Sequence, residues 1–214
     1  KNSTANTTGN AGISIETAGT YNIFNNMITG FELTAANPSA YVYGVKNSSA
    51  SATMNLFHNT LLMNDLADVG TGAVKYYGIH IADGTNAVMN NIVVNNEDNF
   101  ASYNFFRTGT AGTIVSDYND LYRSGIVNAK TGSLNGADAA SLADWQTASG
   151  LDANSVAKMV EFVSASDLHL TGASVGDFEL AGTSLAEVPT DIDCEARSLA
   201  NPYMGADEGA VELK

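Results

Sequence analysis

A column of asparagines constrains this chain more than any other feature. The stretch Tyr77–Asn96, "YGIHIADGTNAVMNNIVVNN", lies over Tyr43–Asn64, "YGVKNSSASATMNLFHNTLLMN", and over Gly12–Gly30, "GISIETAGTYNIFNNMITG". A weaker fourth copy is "FFRTGTAGTIVSDYNDLYRSG", Phe105–Gly125. In this register Asn26, Asn59, Asn91 and Asn119 coincide, and a spacing of about 30 residues marks a repeat architecture. Each copy reads as a short strand, a Gly/Ser/Thr turn, a second strand, an asparagine, a third strand and a loop of variable length. Alternation with period two and β-branched content predict strands and exclude helices. A unit of three short strands cannot bury its own apolar face, so the copies must stack. Stacked coils lie about 4.8 Å apart, so one asparagine per coil predicts a ladder in which each amide donates to one neighbour and accepts from the other. A stray buried amide is costly; a column of them is satisfied. Asparagine also tolerates the left-handed backbone that a sharp turn between strands demands, so the ladder residues are expected to take that conformation themselves.

The prediction is therefore an all-β chain, a right-handed parallel β-helix of five to seven coils with one short helix in a loop. With 214 residues and 44% apolar content, one core suffices for a single domain. Regular coils are expected over 1–125, a loop carrying the helix over 126–159, and closing coils with a C-terminal cap over 160–214. The helix belongs to "SLADWQTASG", with Ser141 as N-cap and Gly150 as C-cap, and Trp145 is expected to pack it against the side of the solenoid. Beyond it, "MVEFV", "LHL" and "FEL" are expected to resume short strands.

Composition removes several function classes. Nine Lys and Arg against 23 Asp and Glu give a net charge of -14, which excludes a nucleic-acid surface. A single cysteine, Cys194, excludes an internal disulfide and a Cys-rich metal site. No apolar run is long enough to span a membrane. Phosphate loops, nucleophile elbows and His-Glu-x-x-His patterns are absent, and Glu16 is the lone carboxylate where a glycosidase would need a pair.

The segments "SDYNDLY", "SLADWQTASGLDANSV", "VEFVSASDLHLTG" and "DIDCEARSLANPYMGADE" add a resemblance. The chain resembles right-handed parallel β-helix proteins of the pectate-lyase-like superfamily, and its second half is similar to the C-terminal region of large secreted or surface bacterial β-helix proteins. Those often end in D-x-D-G, then Arg, then G-A-x-E. Here Asp191, Asp193, Arg197 and Gly205-Ala206-Asp207-Glu208 fit that pattern, and Cys194 stands where glycine is usual. The resemblance implies a secreted or cell-surface location in a bacterium, and a monomer or part of a longer chain. It fixes no activity, because one fold hosts many.

Candidate chemistry falls on the first strand of each repeat. Aligning "GIS", "GVK", "GIH" and "FFR" places Ile13, Val45, Ile79 and Phe106 inward, and Ser14, Lys46, His80 and Arg107 in one outward column. Gly12, Gly44 and Gly78 would form a second outward column, a strip of bare backbone on which a flat polymer could lie. Stacked cations depress one another, which would make Lys46 or His80 a better base near neutrality. The lyases of this superfamily use such a base beside a uronic carboxylate neutralised by a cation. Mapped here, Lys46 or His80 would abstract the proton, Arg107 would hold the carboxylate, and Tyr76 or Tyr77 would protonate the leaving oxygen, with Tyr77 expected to face inward. The leading expectation is nonetheless a non-catalytic module that binds a polysaccharide or a cell-surface partner through Ser14, Lys46, Tyr76, His80 and Arg107. A polysaccharide lyase and a plain stalk segment are the alternatives. Asp191 and Asp193 are candidate ligands for calcium.

Overall fold

The computed structural model describes residues 9–31, 40–64, 74–109 and 111–209. Four three-strand units stack over about three turns of a parallel β-solenoid. The first unit is β1 (Asn10–Ile15), β2 (Gly19–Phe24) and β3 (Met27–Ile28). The second is β4 (Tyr41–Asn47), β5 (Ala52–Phe57) and β6 (Thr60–Met63). The third is β7 (Lys75–Ile81), β8 (Thr85–Met89) and β9 (Ile92–Asn95), and the fourth is β10 (Ala101–Arg107), β11 (Thr113–Asp117) and β12 (Asp120–Arg123). A fifth first-sheet strand, β13 (Ala129–Leu134), turns back as β14 (Ala137–Ala139). All pairings between units are parallel. Val45, Ile79 and Phe105 of the first sheet meet Met54, Leu56 and Val88 of the second and Leu61, Val93 and Leu121 of the third in one buried interior.

The asparagine column holds these coils together from inside. Asn26 Nδ2 donates to Asn59 Oδ1 (2.8 Å), Asn59 Nδ2 to Asn91 Oδ1 (3.0 Å) and Asn91 Nδ2 to Asn119 Oδ1 (3.0 Å). Each Oδ1 also accepts the backbone N–H of the preceding ladder residue, and Asn119 N–H ends the series on Ser155 Oγ at 2.8 Å. The left-handed backbone belongs to the residue before: Asn25, His58, Asn90 and Tyr118 have φ of 56, 52, 58 and 53°. That corrects the expectation for the ladder residues. The turn is made by one residue of the pair and the ladder by the next, because a left-handed residue at the corner aims its side chain away from the interior the ladder occupies.

The helix α1 (Leu142–Ser149) has Ser141 in a reciprocal capping box with Asp144 and left-handed Gly150 at its end. It closes the end of the solenoid and does not lie along its side. Trp145 is fully buried, its ring 5.1 Å from that of Phe105, over Gly132, where a Cβ would meet it at 2.3 Å. Its indole N–H donates to Asp152 Oδ2 at 2.7 Å, and Asp152 Oδ1 accepts from Ser116, Ser155 and the last ladder amide of Asn119. One carboxylate thus locks the plug to the end of the ladder.

After Asp152 the chain adds one rung, Val156 beside Asp120, and then leaves the stack. β15 (Phe162–Ser164) and β16 (Asp167–Leu170) pair antiparallel, and Phe178–Leu180 is a 3₁₀ turn, so these segments are not the closing coils that their alternation suggested, and the described residues form four three-strand units over about three turns where five to seven coils were expected. Residues 160–209 instead run back as a strap over the outer face of the third sheet. Val160, Leu168, Leu170, Leu180, Tyr203 and Met204 bury Leu62, Ile92 and Val94. The left-handed column pins the strap: Asn25 Nδ2 donates to Thr190 O (2.7 Å), His58 bonds Tyr203 O (3.1 Å), and Asn90 exchanges two bonds with Thr183 (2.7 and 2.9 Å). Among the described residues no helix is long and apolar enough to cross a membrane.

Candidate functional site

The first sheet's outer face is set by a bend that the sequence alignment missed. Ladder pairing runs through Tyr43, skips Gly44 and resumes at Val45, and every copy does the same. Glycine at the bend faces inward: a Cβ on Gly44 would lie 2.5 Å from Leu61 Cδ2 and from Gly78 O, and one on Gly78 would lie 2.6 Å from Val93 Cγ1. The strip of exposed bare backbone therefore does not exist. Because both Gly44 and Val45 face the interior, Tyr43 and Lys46 emerge on the same outer face, three residues apart.

Two outward columns result. Tyr43, Tyr77 and Tyr103 stack with ring centroids 5.1 and 5.7 Å apart and planes within 14°; Tyr41 flanks them at 6.3–6.4 Å. Beside them run Ser14, Lys46, His80, Phe106 and Ser133. Lys46 Nζ lies 5.2 Å from the Tyr43 ring centre, a cation over an aromatic face. His80 meets Tyr43 and Tyr77 edge-on at 5.1 and 5.3 Å and stacks on Phe106 at 5.5 Å. Phe106 in turn meets Tyr77 and Tyr103 edge-on at 4.6 and 4.8 Å. Tyr103, Tyr77 and Tyr43 are only 4–8% exposed, while Lys46, His80 and Phe106 are half-buried.

The site residues read from sequence separate accordingly. Ser14, Lys46 and His80 do share a column. Arg107 does not, because Phe106 pairs with His80 and Arg107 with Ile81. Its guanidinium turns along the following loop to Gly109 O (3.1 Å) and Gly112 O (3.5 Å). The inward residue of that strand is Phe105, where Phe106 was expected. Tyr76 is 1% exposed and stacks on Phe100 in the core, whereas Tyr77 faces out, the reverse of the expected pair. Burial, and then the Lys46 charge, push His80 down to about 4; it is neutral, with a conjugate acid too strong to serve well as a base toward a carbon-bound proton. Lys46 lies 3.9 Å from exposed Glu16. Burial and Asp138 push the Tyr103 phenol up to about 12.

Asp191 and Asp193 also part. Asp191 Oδ1 accepts the N–H of Asp193 and Glu195, and Oδ2 that of Glu208, so its oxygens close backbone turns. Arg197, 6% exposed, bonds Glu208 Oε2 (3.0 Å), Asn25 Oδ1 (2.9 Å) and the carbonyls of Tyr203, Gly205 and Ala206. Exposed Cys194 has φ 67°, the conformation for which glycine is the ordinary choice. The tyrosine column went unread although its signal is in the sequence, as "YGV", "YGI" and "YNF" at Tyr43, Tyr77 and Tyr103.

Fold and face together define a parallel β-solenoid with a cation-flanked aromatic face on its first sheet and a strap over its third. Comparison with protein-family models, with curated proteins and with solved structures returned no match.

Proposed function

We propose that this solenoid is a non-catalytic extracellular or cell-surface module, bacterial in origin as its resemblance implies, that binds glycan along the outer face of the first sheet. The observation that carries the reading is the pair of registered columns: tyrosines in one, and Lys46, His80 and Phe106 in the other. Half-buried Lys46, His80 and Phe106, backed by the rigid column of tyrosine rings, offer a stacking surface and a hydrogen-bonding cation at low conformational-entropy cost. The repeat sets the spacing of these groups at one coil, about 4.8 Å, close to the length of a sugar unit. Against a lyase stand the weak basicity of His80 and Phe106 in the column position where Arg107 was expected to hold the carboxylate.

The test is affinity electrophoresis on alginate, pectate and glycosaminoglycans, with absorbance of unsaturated uronide products followed on the same panel. Retardation by at least one polymer, weakened at least about tenfold in Phe106→Ala and in Lys46→Ala, supports the proposal. Absorbance that rises with wild type and vanishes in Lys46→Ala/His80→Ala would make the protein a lyase. No retardation on any polymer would leave a stalk segment.

A further inference from the structure

We propose that His169, Asp193 and Asp207 form a binding site for a divalent transition-metal ion of the zinc type, which ties three segments of the strap together. One ligand atom from each of the three lies within 4.8 Å of the other two. His169 Nε2 is 2.9 Å from Asp193 Oδ2; a tetrahedral ion with bonds near 2.1 Å needs ligand atoms about 3.4 Å apart, so small side-chain shifts open the space. Two further features fit a metal better than a simple ion pair. Asp167 is hydrogen-bonded to the opposite ring nitrogen, Nδ1, the carboxylate–imidazole arrangement that fixes the orientation of a ligating histidine. Asp207 is only 9% exposed; one of its oxygens accepts the Leu170 N–H at 2.7 Å, and the other has no donor among the described residues.

The donor set selects the ion. A neutral imidazole and two carboxylates carry two negative charges, which one divalent cation cancels, and an open fourth position suits water. Imidazole nitrogen favours zinc, copper or nickel. Calcium would need six to eight oxygens, and those of neighbouring Asp191 are committed to backbone N–H groups. The three residues come from β16, from the turn at Asp191–Glu195 and from the end of the strap, so a bound ion would cross-link three segments that are separate in sequence.

Calorimetric titration of chelator-treated protein with zinc chloride, beside calcium chloride, tests this, with thermal unfolding in parallel. The expected result is one zinc per chain, a raised unfolding midpoint and no comparable calcium heat. His169→Ala and Asp193→Asn should abolish binding with an unchanged circular dichroism spectrum, Asp167→Asn should weaken it by about 10–100-fold, and Cys194→Ser should leave it intact. Absence of zinc heat in wild type, zinc binding that survives His169→Ala, loss of binding in Cys194→Ser, or calcium binding as tight as zinc would each overturn the assignment.

Discussion

Replacing Asn91 by leucine tests the ladder at its most connected point. The side chain is fully buried. Its Oδ1 accepts from the N–H and the Nδ2 of Asn59, both at 3.0 Å, and its Nδ2 donates to Asn119 Oδ1 (3.0 Å), Leu56 O (2.9 Å) and Met89 O (3.0 Å). Leucine fills similar volume and keeps none of these. The Asn59 backbone N–H loses its acceptor inside the protein, at about 1–3 kcal/mol for an orphaned buried donor. The remaining bonds are shared, since Asn59 Nδ2 keeps Ile23 O and Phe57 O and Asn119 Oδ1 keeps the residue-91 N–H, so they add about 1–2 kcal/mol more. The total, about 2–5 kcal/mol, corresponds to roughly 4–20 °C in unfolding midpoint for a chain of this size. Urea unfolding followed by the fluorescence of Trp145, the chain's one tryptophan, measures it. Asn22 supplies the control: it accepts a coil-to-coil amide bond of similar length from Asn55 Nδ2, 2.8 Å, on the exposed face of the second sheet, so Asn22→Ala should cost under about 1 kcal/mol. An Asn91→Leu protein within 1 kcal/mol of wild type, or equal to Asn22→Ala, would refute the claim that burial makes the ladder count.

Gly44→Ala, an exposed-looking change by the sequence alignment, should destabilise by about 1–3 kcal/mol because its methyl group meets Leu61 and the Gly78 carbonyl; in the same urea series Ser14→Ala, on the outer column, should stay within about 0.5 kcal/mol. Protonation of His58 should unlock the strap: Nδ1–H donates to Tyr203 O and Nε2 accepts from Asn90 Nδ2, and burial, then the Arg197 charge, push its pKa from 6.5 down to about 3. Only the unfolded chain takes up that proton below pH 6.5, so this contribution is whole above pH 6.5 and is lost as pH falls toward 3, by at most about 1.4 kcal/mol per pH unit. A His58→Asn protein should lack that part of the slope between pH 6 and 4.5, and equal slopes would refute the linkage.

What the sequence discloses depends on whether a position repeats. The strands and the Asn column recur, and period-two alternation with a constant offset leaves a single stacking solution. The bend at Gly44 and Gly78 defeats that logic, because simple alternation assigns Gly44 to the outer face when it lies inside. In the fourth copy Asn104 takes the glycine's place and donates to Val93 O (2.6 Å) and Tyr122 O (2.8 Å), so matching on glycine slips the register by one and delivers Arg107 in place of Phe106. Anchoring on the tyrosine would have held it. The strap was illegible for another reason: the alternation of "VEFV" and "DLHL" is the same for a parallel coil and an antiparallel hairpin, and only the apolar outer face of the third sheet decides between them. An enzyme would be expected to show a groove walled by the loops after Phe31, Asn64 and Asn96, and the first two of these loops fall largely outside the described residues.

The doubled asparagine in "MNNI" can now be divided into two tasks set by backbone geometry. The second residue, Asn91, keeps its amide inside, where an amide is stable only in a ladder. The first, Asn90, takes the left-handed corner and so turns its side chain outward, where it grips Thr183 of the strap. The first coil repeats the division: Asn26 heads the ladder while Asn25 holds Thr190 and Arg197. In the second coil histidine takes the corner, which makes that one pin sensitive to protons. Interior and strap are therefore fastened from adjacent residues of each corner. A substitution at the ladder position loosens the stacking of the coils, while one at the corner position frees the strap and leaves the aromatic face on the first sheet intact, because that face draws none of its residues from either set.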